Sequence, residues 1–128
     1  MNMISEVWIT EDCMNTLLTI AKHAHPNETL LLLRGKIRRG IAFVEEVLIP
    51  PPIYTSPSSI AINPYRLPID FTIIGIAHSH PNGSLRPSME DLSAKYKYIL
   101  MIMGYPYESE LNLAAYTYDG RRLKLRII

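Results

Sequence analysis

Cysteine is almost missing from this chain, because Cys13 is the only one among its 128 residues. A single cysteine excludes an intramolecular disulfide framework and is typical of proteins that stay in a reducing compartment. Long apolar runs are also lacking: stretches such as residues 99–103 are far too short to cross a bilayer. No basic segment followed by an apolar one opens the chain. We therefore expect a soluble, cytoplasmic protein without a membrane partner.

An excess of charge of one sign is lacking too. Thirteen lysines and arginines face twelve aspartates and glutamates, for a net charge of +1, so no strong field attracts nucleic acid or acidic membranes. Two basic clusters alternate along predicted strands, as is typical of the solvated face of a half-buried strand, and no aromatic stacking motif is interleaved with them. They comprise Arg34, Lys36, Arg38 and Arg39, and Arg121, Arg122, Lys124 and Arg126. We expect no nucleic-acid partner.

The composition is that of a globular domain. Apolar residues make up 48% of the chain and charged residues 20%, which excludes a disordered tail. A chain of this length matches the usual size of one domain and buries about two-thirds of its extended surface on folding. We therefore expect residues 1–128 to form a single domain with its own core.

The periodicity of the sequence predicts a mixed β-sheet with two principal helices, an α/β (mixed α+β) class. Thr10 is the predicted N-cap of the first helix, and the second helix covers residues 89–97. The buried stripe of the first helix is predicted to be Met14, Leu17, Leu18, Ala21 and Ala24. The predicted strands are residues 7–9, 30–37, 41–49, 59–63, 71–80, 99–103, 111–118 and 123–128. Residues 53–57 are predicted to be an exposed loop, and 63–68 and 119–120 to be turns.

Three metal-ligand side chains stand close together in the segment HSHPNGSLRPSMED, namely His78, His80 and Asp91. The apolar run before His78 predicts a buried strand, and residues two apart on a strand project from the same face while Ser79 points away. Two imidazoles would then face one point beyond the strand end. Two imidazoles and one carboxylate make a three-ligand site for a first-row metal with one position open, as in catalytic zinc sites.

The residues between His80 and Asp91 predict how the carboxylate returns to the histidines. Pro81 ends the strand, Asn-Gly-Ser provides a turn, and Ser88 starts a helix with Asp91 in its first turn. Ser88 and Asp91 also match an N-terminal capping box, and a histidine is often only a hydrogen-bonded structural residue. The cap and the metal site are compatible, since a hydroxyl has both a donor and acceptor lone pairs.

The pattern H-x-H, seven residues, S, two residues, D resembles the signature of the JAMM (MPN+) metalloproteases. His78, His80, Ser88 and Asp91 occupy its four positions. The upstream glutamate of that family is similar to Glu28, which follows the first helix and opens an apolar strand. The order of elements along nearly the whole chain resembles the short archaeal and bacterial members of the family.

This resemblance implies a cytidine-deaminase-like, three-layer fold, with a mixed β-sheet flanked by helices. It implies one Zn²⁺ per chain, held by His78, His80 and Asp91 with water as the fourth ligand. Glu28 would be the general base and would later protonate the leaving amine, and Ser88 would stabilise the oxyanion.

The implied activity is cleavage of the isopeptide bond between the C-terminal glycine of a ubiquitin-like modifier and a lysine. Two alternatives stay open: processing of the C-terminus of a sulfur-carrier protein, and a non-catalytic MPN-type binding scaffold. A deaminase is disfavoured because its paired Pro-Cys-x-x-Cys ligands are absent. The region 53–68 is a candidate for contacting the tail of the modifier, and exposed sheet edges would allow a homodimer.

Overall fold

The computed structural model describes residues 3–50, 53–56, 59–61 and 70–128. It contains nine strands and two α-helices within these residues. The strands are β1 (Glu6–Ile9), β2 (Leu30–Arg38), β3 (Ile41–Leu48), β4 (Ile53–Ser56), β5 (Ser59–Ala61), β6 (Ile73–His80), β7 (Ile99–Gly104), β8 (Leu113–Tyr116) and β9 (Arg122–Ile127). The helices are α1 (Glu11–Ala24) and α2 (Met89–Ser93), and a short 3-10 helix covers Glu110–Asn112.

Seven of the strands form one mixed sheet that closes on itself in the order β1-β3-β2-β6-β7-β8-β9. Closure is made by the parallel pairing of β1 with β9. The neighbours β1–β3 and β6–β7 are also parallel, and the remaining pairs are antiparallel. Strands β4 and β5 form a separate antiparallel pair. The predicted mixed α+β class is confirmed, but the closure of the sheet has no counterpart in the sequence pattern.

Each face of the sheet carries its own apolar cluster. The larger cluster lies beneath α1, whose predicted stripe is buried at Leu17, Leu18 and Ala21 and half-buried at its two ends. Cys13 is buried in the same cluster. The smaller cluster covers the other face of β2, β6, β7 and β8, and Leu92 of α2 packs against it. Helices therefore flank the sheet on both faces, and the particular likeness to cytidine deaminase stays a prediction.

Local capping explains where α1 begins. The Thr10 hydroxyl accepts a hydrogen bond from the backbone N–H of Cys13 at 3.1 Å, and two acidic residues occupy the first turn. Such caps contribute about 1 kcal/mol and suit the helix dipole. The predicted N-cap is therefore confirmed. Within the described residues, no helix is long and apolar enough to span a membrane.

Several predicted boundaries are wrong. The strand predicted for 71–80 begins only at Ile73, because residues 71–72 form a turn. The second helix ends at Ser93, because the backbone turns away through left-handed conformations at Lys95 and Lys97. The first part of the predicted loop 53–57 is strand β4, stabilised by its pairing with β5. The strand predicted for 111–118 is shorter, since the 3-10 helix occupies its start. The predicted turn 63–68 lies outside the described residues.

The second basic cluster alternates as predicted. In β9, Arg122, Lys124 and Arg126 are exposed, while Leu123 is buried and Leu125 is half-buried between them. This is the pattern of a strand with one solvated face.

Candidate metal centre

Strand β6 brings His78 and His80 to its C-terminal end, as the alternation predicts. β6 lies between antiparallel β2 and parallel β7, where His78 is paired with Leu30 and Ile102. Paired residues share a face of the sheet, so both imidazoles lie at the edge of the smaller cluster. Their ring centroids are 5.3 Å apart. Ser79 projects to the opposite face, where it is completely buried.

Asp91 lies in the first turn of α2 and faces both rings. Its Oδ1 is 3.2 Å from Nδ1 of His78, and its Oδ2 is 3.0 Å from Nε2 of His80. One ligand atom from each of the three residues can be chosen so that all lie within 4.8 Å of one another. Between 9% and 12% of each side chain is exposed, so the group is shielded from bulk water. The three predicted ligand residues are therefore brought together.

Ser88 is the N-cap of α2 and forms the predicted capping box with Asp91. Its hydroxyl accepts a hydrogen bond from the backbone N–H of Asp91 at 3.0 Å. Its own backbone N–H donates to Oδ2 of Asp91 at 2.7 Å. The cap uses the hydroxyl only as an acceptor, so its hydrogen stays available for donation. Ser88 is exposed, and its action on an oxyanion stays a prediction.

Glu28 lies on the segment between α1 and β2, beside the first histidine. Its Oε2 is 3.3 Å from Nε2 of His78, and 30% of its side chain is exposed. The His78 ring is therefore placed between two carboxylates, those of Glu28 and Asp91. A carboxylate that touches both the site and solvent can accept a proton from water and release it again. The role of general base stays a prediction.

The charges of the centre are coupled through Asp91. Burial alone would raise the pKa of Asp91, but the adjacent imidazoles of His78 and His80 and the backbone N–H of Ser88 outweigh it, so this pKa is lowered. The hydrogen bond to Asp91 raises the pKa of His80 against the opposing effect of burial. The carbonyl of Ser84 and the charge of Glu28 act in the same direction on the His80 pKa.

The residues of this centre fit a zinc ion. Nδ1 of His78 is buried, and among the described residues it has no hydrogen-bond partner of good geometry, although Asp91 lies close to it. A buried polar atom without a partner is costly unless something else satisfies it. Two imidazoles and one carboxylate are a donor set that zinc prefers, with one position open for catalysis. His78, His80 and Asp91 therefore form a candidate zinc-binding site.

The backbone carbonyl of Ser84 orients the ring of His80, a contact that the sequence pattern does not predict. Nδ1 of His80 lies 3.0 Å from the backbone oxygen of Ser84, and because a carbonyl only accepts, Nδ1 carries the proton. This contact directs Nε2 at the site, as is common for metal-binding histidines. The turn is closed by the side chain of Asn82, which accepts from the N–H of Ser84 at 2.9 Å. The sequence signals this turn, but not the direction of its carbonyl.

Comparison with known proteins assigns this fold and site to a class, the JAMM-type metalloproteases. The family model described as prokaryotic homologs of the JAB domain matches residues 10–117. The chain belongs to this family. The predicted resemblance to the JAMM (MPN+) metalloproteases is thus confirmed.

Individual relatives agree with the assignment. A probable metalloprotease of Haloferax volcanii is 37% identical over 108 residues, which cover 79% of this chain and 67% of the relative. A solved JAB1/MPN domain protein from Archaeoglobus fulgidus is 29% identical with a TM-score of 0.69, covering 94% of this chain and 97% of the other.

A second solved structure, described as a JAMM metalloprotease-like zinc site in the proteasome and signalosome, is 27% identical. It has a TM-score of 0.71, and the match covers 99% of both chains. A protein from Desulfitobacterium hafniense, 22% identical with a TM-score of 0.73 over 95% of this chain and 92% of its own, shares the fold. Together these comparisons support a zinc metalloprotease of the JAMM type.

Proposed function

We propose that this protein is a zinc-dependent isopeptidase. It hydrolyses the bond after the C-terminal glycine of a small ubiquitin-like modifier that is conjugated to lysine. The observation that carries the proposal is the convergence of His78, His80 and Asp91, with the carboxylate of Glu28 beside them. All of the family's signature positions are filled in this chain, which argues against a binding scaffold that lacks metal residues.

His78, His80 and Asp91 would hold the zinc ion, each through one nitrogen or oxygen atom. Bound zinc supplies Lewis acidity and lowers the pKa of water from its bulk value to about 7. Glu28 takes the proton of the attacking water on its carboxylate. It then delivers this proton to the nitrogen of the departing lysine amine, which is a poor leaving group until it is protonated.

Ser88 supplies a hydrogen bond to the oxyanion of the tetrahedral intermediate. Its capping role fixes the hydroxyl oxygen at the start of α2, beside the Asp91 carboxylate, while the hydroxyl hydrogen is not used by the cap. A fixed donor needs no reorganisation when charge develops on the substrate, and one such donor contributes about 3–4 kcal/mol in other hydrolases.

The extended tail of a modifier would add as a strand to the β4–β5 pair. The seven-stranded sheet is closed, whereas among the described residues β4 and β5 pair only with each other, so each keeps an outer backbone edge. Addition of the tail to such an edge would give backbone hydrogen bonds and a defined register. This pair lies in the region 53–68, which we predicted from the sequence to be a candidate for contact with the modifier tail.

The proposal is tested by incubating the purified protein with modifier conjugates and fusions, with and without chelator. Products are identified by mass spectrometry and zinc is measured by atomic spectroscopy. We expect release of a modifier ending in glycine, and its loss with the chelator. Release of a single amino acid from a sulfur-carrier protein would favour the alternative substrate, and zinc binding without any cleavage would favour a scaffold.

Variants separate the roles of the residues. Glu28→Gln should lower kcat by about 100- to 10,000-fold, the range for a general acid–base, while zinc stays bound. His78→Ala should remove zinc and activity together. Glu45→Gln, at an exposed carboxylate of β3 paired with Lys36, is the matched control and should change neither. Loss of zinc from Glu28→Gln would show that Glu28 is a ligand or a fold element and not the base.

A further inference from the structure

Ser79 is a buried polar residue that the proposed chemistry does not use. Among the described residues it is the only polar or charged one that is completely buried. It stands between His78 and His80 but on the opposite face of β6, where its strand neighbour is the buried Met103. A hydroxyl that is buried among apolar side chains costs free energy unless it forms a hydrogen bond.

The hydrogen bonds of Ser79 join β6 to the residue that follows Glu28. The backbone N–H of Ser79 donates to the carbonyl of Thr29 at 3.0 Å. The backbone N–H of Thr29 donates to the Ser79 hydroxyl at 2.8 Å. In a regular antiparallel pair this second bond would go to the backbone carbonyl of Ser79. The hydroxyl has taken its place, and the regular β2–β6 pairing ends one residue before Ser79 along β6, at the pair Leu30 and His78.

We call the two hydrogen bonds between Ser79 and Thr29 the clamp. Glu28 lies between this clamp and a second contact that holds the chain. The ring of His25 stacks on the ring of Tyr105, with centroids 4.6 Å apart and planes 27° from parallel. Pro26 and Asn27 separate His25 from Glu28, and Thr29 follows Glu28 directly. A short segment held at both ends has little freedom, so the position of the Glu28 carboxylate depends on where Thr29 is held.

We infer that Ser79 is a positioning residue for Glu28. Its hydroxyl holds the Thr29 backbone and thereby sets the Glu28 carboxylate beside the His78 ring, at the observed 3.3 Å. The inference rests on the proposed function for the action of Glu28 as general base. Because a displacement of about 1 Å can reduce catalysis by roughly 100-fold, one buried hydrogen bond outside the metal centre would control the rate.

Three variants test the inference in the zinc-loaded full chain. Ser79→Ala removes the acceptor, and Ser79→Thr keeps a hydroxyl. Val44→Ala truncates a buried side chain of the larger apolar cluster, which also contains Met103, the strand neighbour of Ser79. It controls for a general loss of stability. The probe is a fluorescent lysine peptide joined by an isopeptide bond to a modifier that ends in Gly-Gly.

We expect Ser79→Ala to lower kcat by about 10- to 100-fold with KM within about twofold. Zinc content should be unchanged, because Ser79 is not a ligand. Ser79→Thr should recover most of kcat, and Val44→Ala should retain it. In a Glu28→Gln background, Ser79→Ala should cause no further loss, because both changes act through one carboxylate. An additive loss, or an unchanged kcat in Ser79→Ala, would overturn the inference.

Two measurements need no substrate and keep the inference separate from the proposed function. Amide hydrogen exchange at Thr29 should be at least about tenfold faster in Ser79→Ala, because its acceptor is gone. Crystals of this variant should show the Glu28 carboxylate displaced from His78. If the wild-type protein fails to cleave the probe, the proposed function fails, and these two measurements decide the inference. Unchanged exchange or an unmoved carboxylate would overturn it.

Discussion

Replacement of Asp91 by alanine removes a carboxylate that three groups share. Oδ2 accepts from the backbone N–H of Ser88 at 2.7 Å and faces Nε2 of His80 at 3.0 Å, while Oδ1 lies 3.2 Å from Nδ1 of His78. The substitution therefore affects both the start of α2 and the candidate metal centre. We expect it to abolish zinc binding and also to destabilise the metal-free protein.

The size of the effect on the metal-free protein follows from these contacts. Loss of one side-chain cap costs about 1 kcal/mol. Loss of a hydrogen bond to a charged group costs about 1.5–3 kcal/mol, and the raised pKa of His80 keeps this ring charged in mildly acidic buffer. Because the two losses overlap at one carboxylate, we expect the free energy of unfolding to fall by roughly 2–4 kcal/mol.

The assay is urea unfolding at pH 6 in the presence of chelator, with zinc content measured separately. Glu90→Gln is the matched control, because Glu90 is exposed in the same turn and has no side-chain partner among the described residues. It should cost less than about 1 kcal/mol, the share of the helix dipole. An Asp91→Ala protein that unfolds at the wild-type urea concentration would refute the reasoning on stability. Zinc retained at wild-type affinity would refute the role of Asp91 as a ligand.

Two further predictions concern the sheet and its rim. A Cβ at Gly75 would lie 2.2 Å from the backbone oxygen of Ile99, so Gly75→Ala should separate β6 from β7 and cost about 1–3 kcal/mol or more in urea unfolding; an unchanged midpoint would contradict this. The hydroxyl and the N–H of Thr72 lower the pKa of Asp70 to about 2. Its contribution to stability is therefore present above pH 4 and lost as the pH falls toward 2. NMR titration should show a pKa of about 2 for the Asp70 carboxyl. The free energy of unfolding of Asp70→Asn should depend less steeply on pH than that of the wild-type protein between about pH 4 and pH 2.

The parts of the fold that could be predicted are those that depend on local rules. The cap at Thr10, the buried stripe of α1 and the alternation along β9 follow from side-chain chemistry within a few residues. The same is true of the capping box that starts α2. The early end of that helix could not be predicted, because no helix-breaking residue marks it. The chain turns at Lys95, where the neighbouring side chains pack against the smaller cluster.

Closure of the sheet lay outside the reach of local rules. The parallel pairing of β1 with β9 joins segments more than a hundred residues apart. The alternation of apolar and polar residues along each strand does not indicate which strand it pairs with. Within the described residues, β4 and β5 pair only with each other and are separate from this closed sheet.

For the candidate site, the amino-acid sequence alone determined the donor set. A spacing of two places His78 and His80 on one face of a strand, and a cap at Ser88 turns Asp91 back toward them, because both rules act over short stretches of chain. The tertiary structure alone decided what surrounds that donor set. It brought Glu28 to the His78 ring, and it formed the clamp on Thr29 across fifty residues of sequence. Such contacts depend on how β2 and β6 pair in space, and no short-range pattern encodes that pairing.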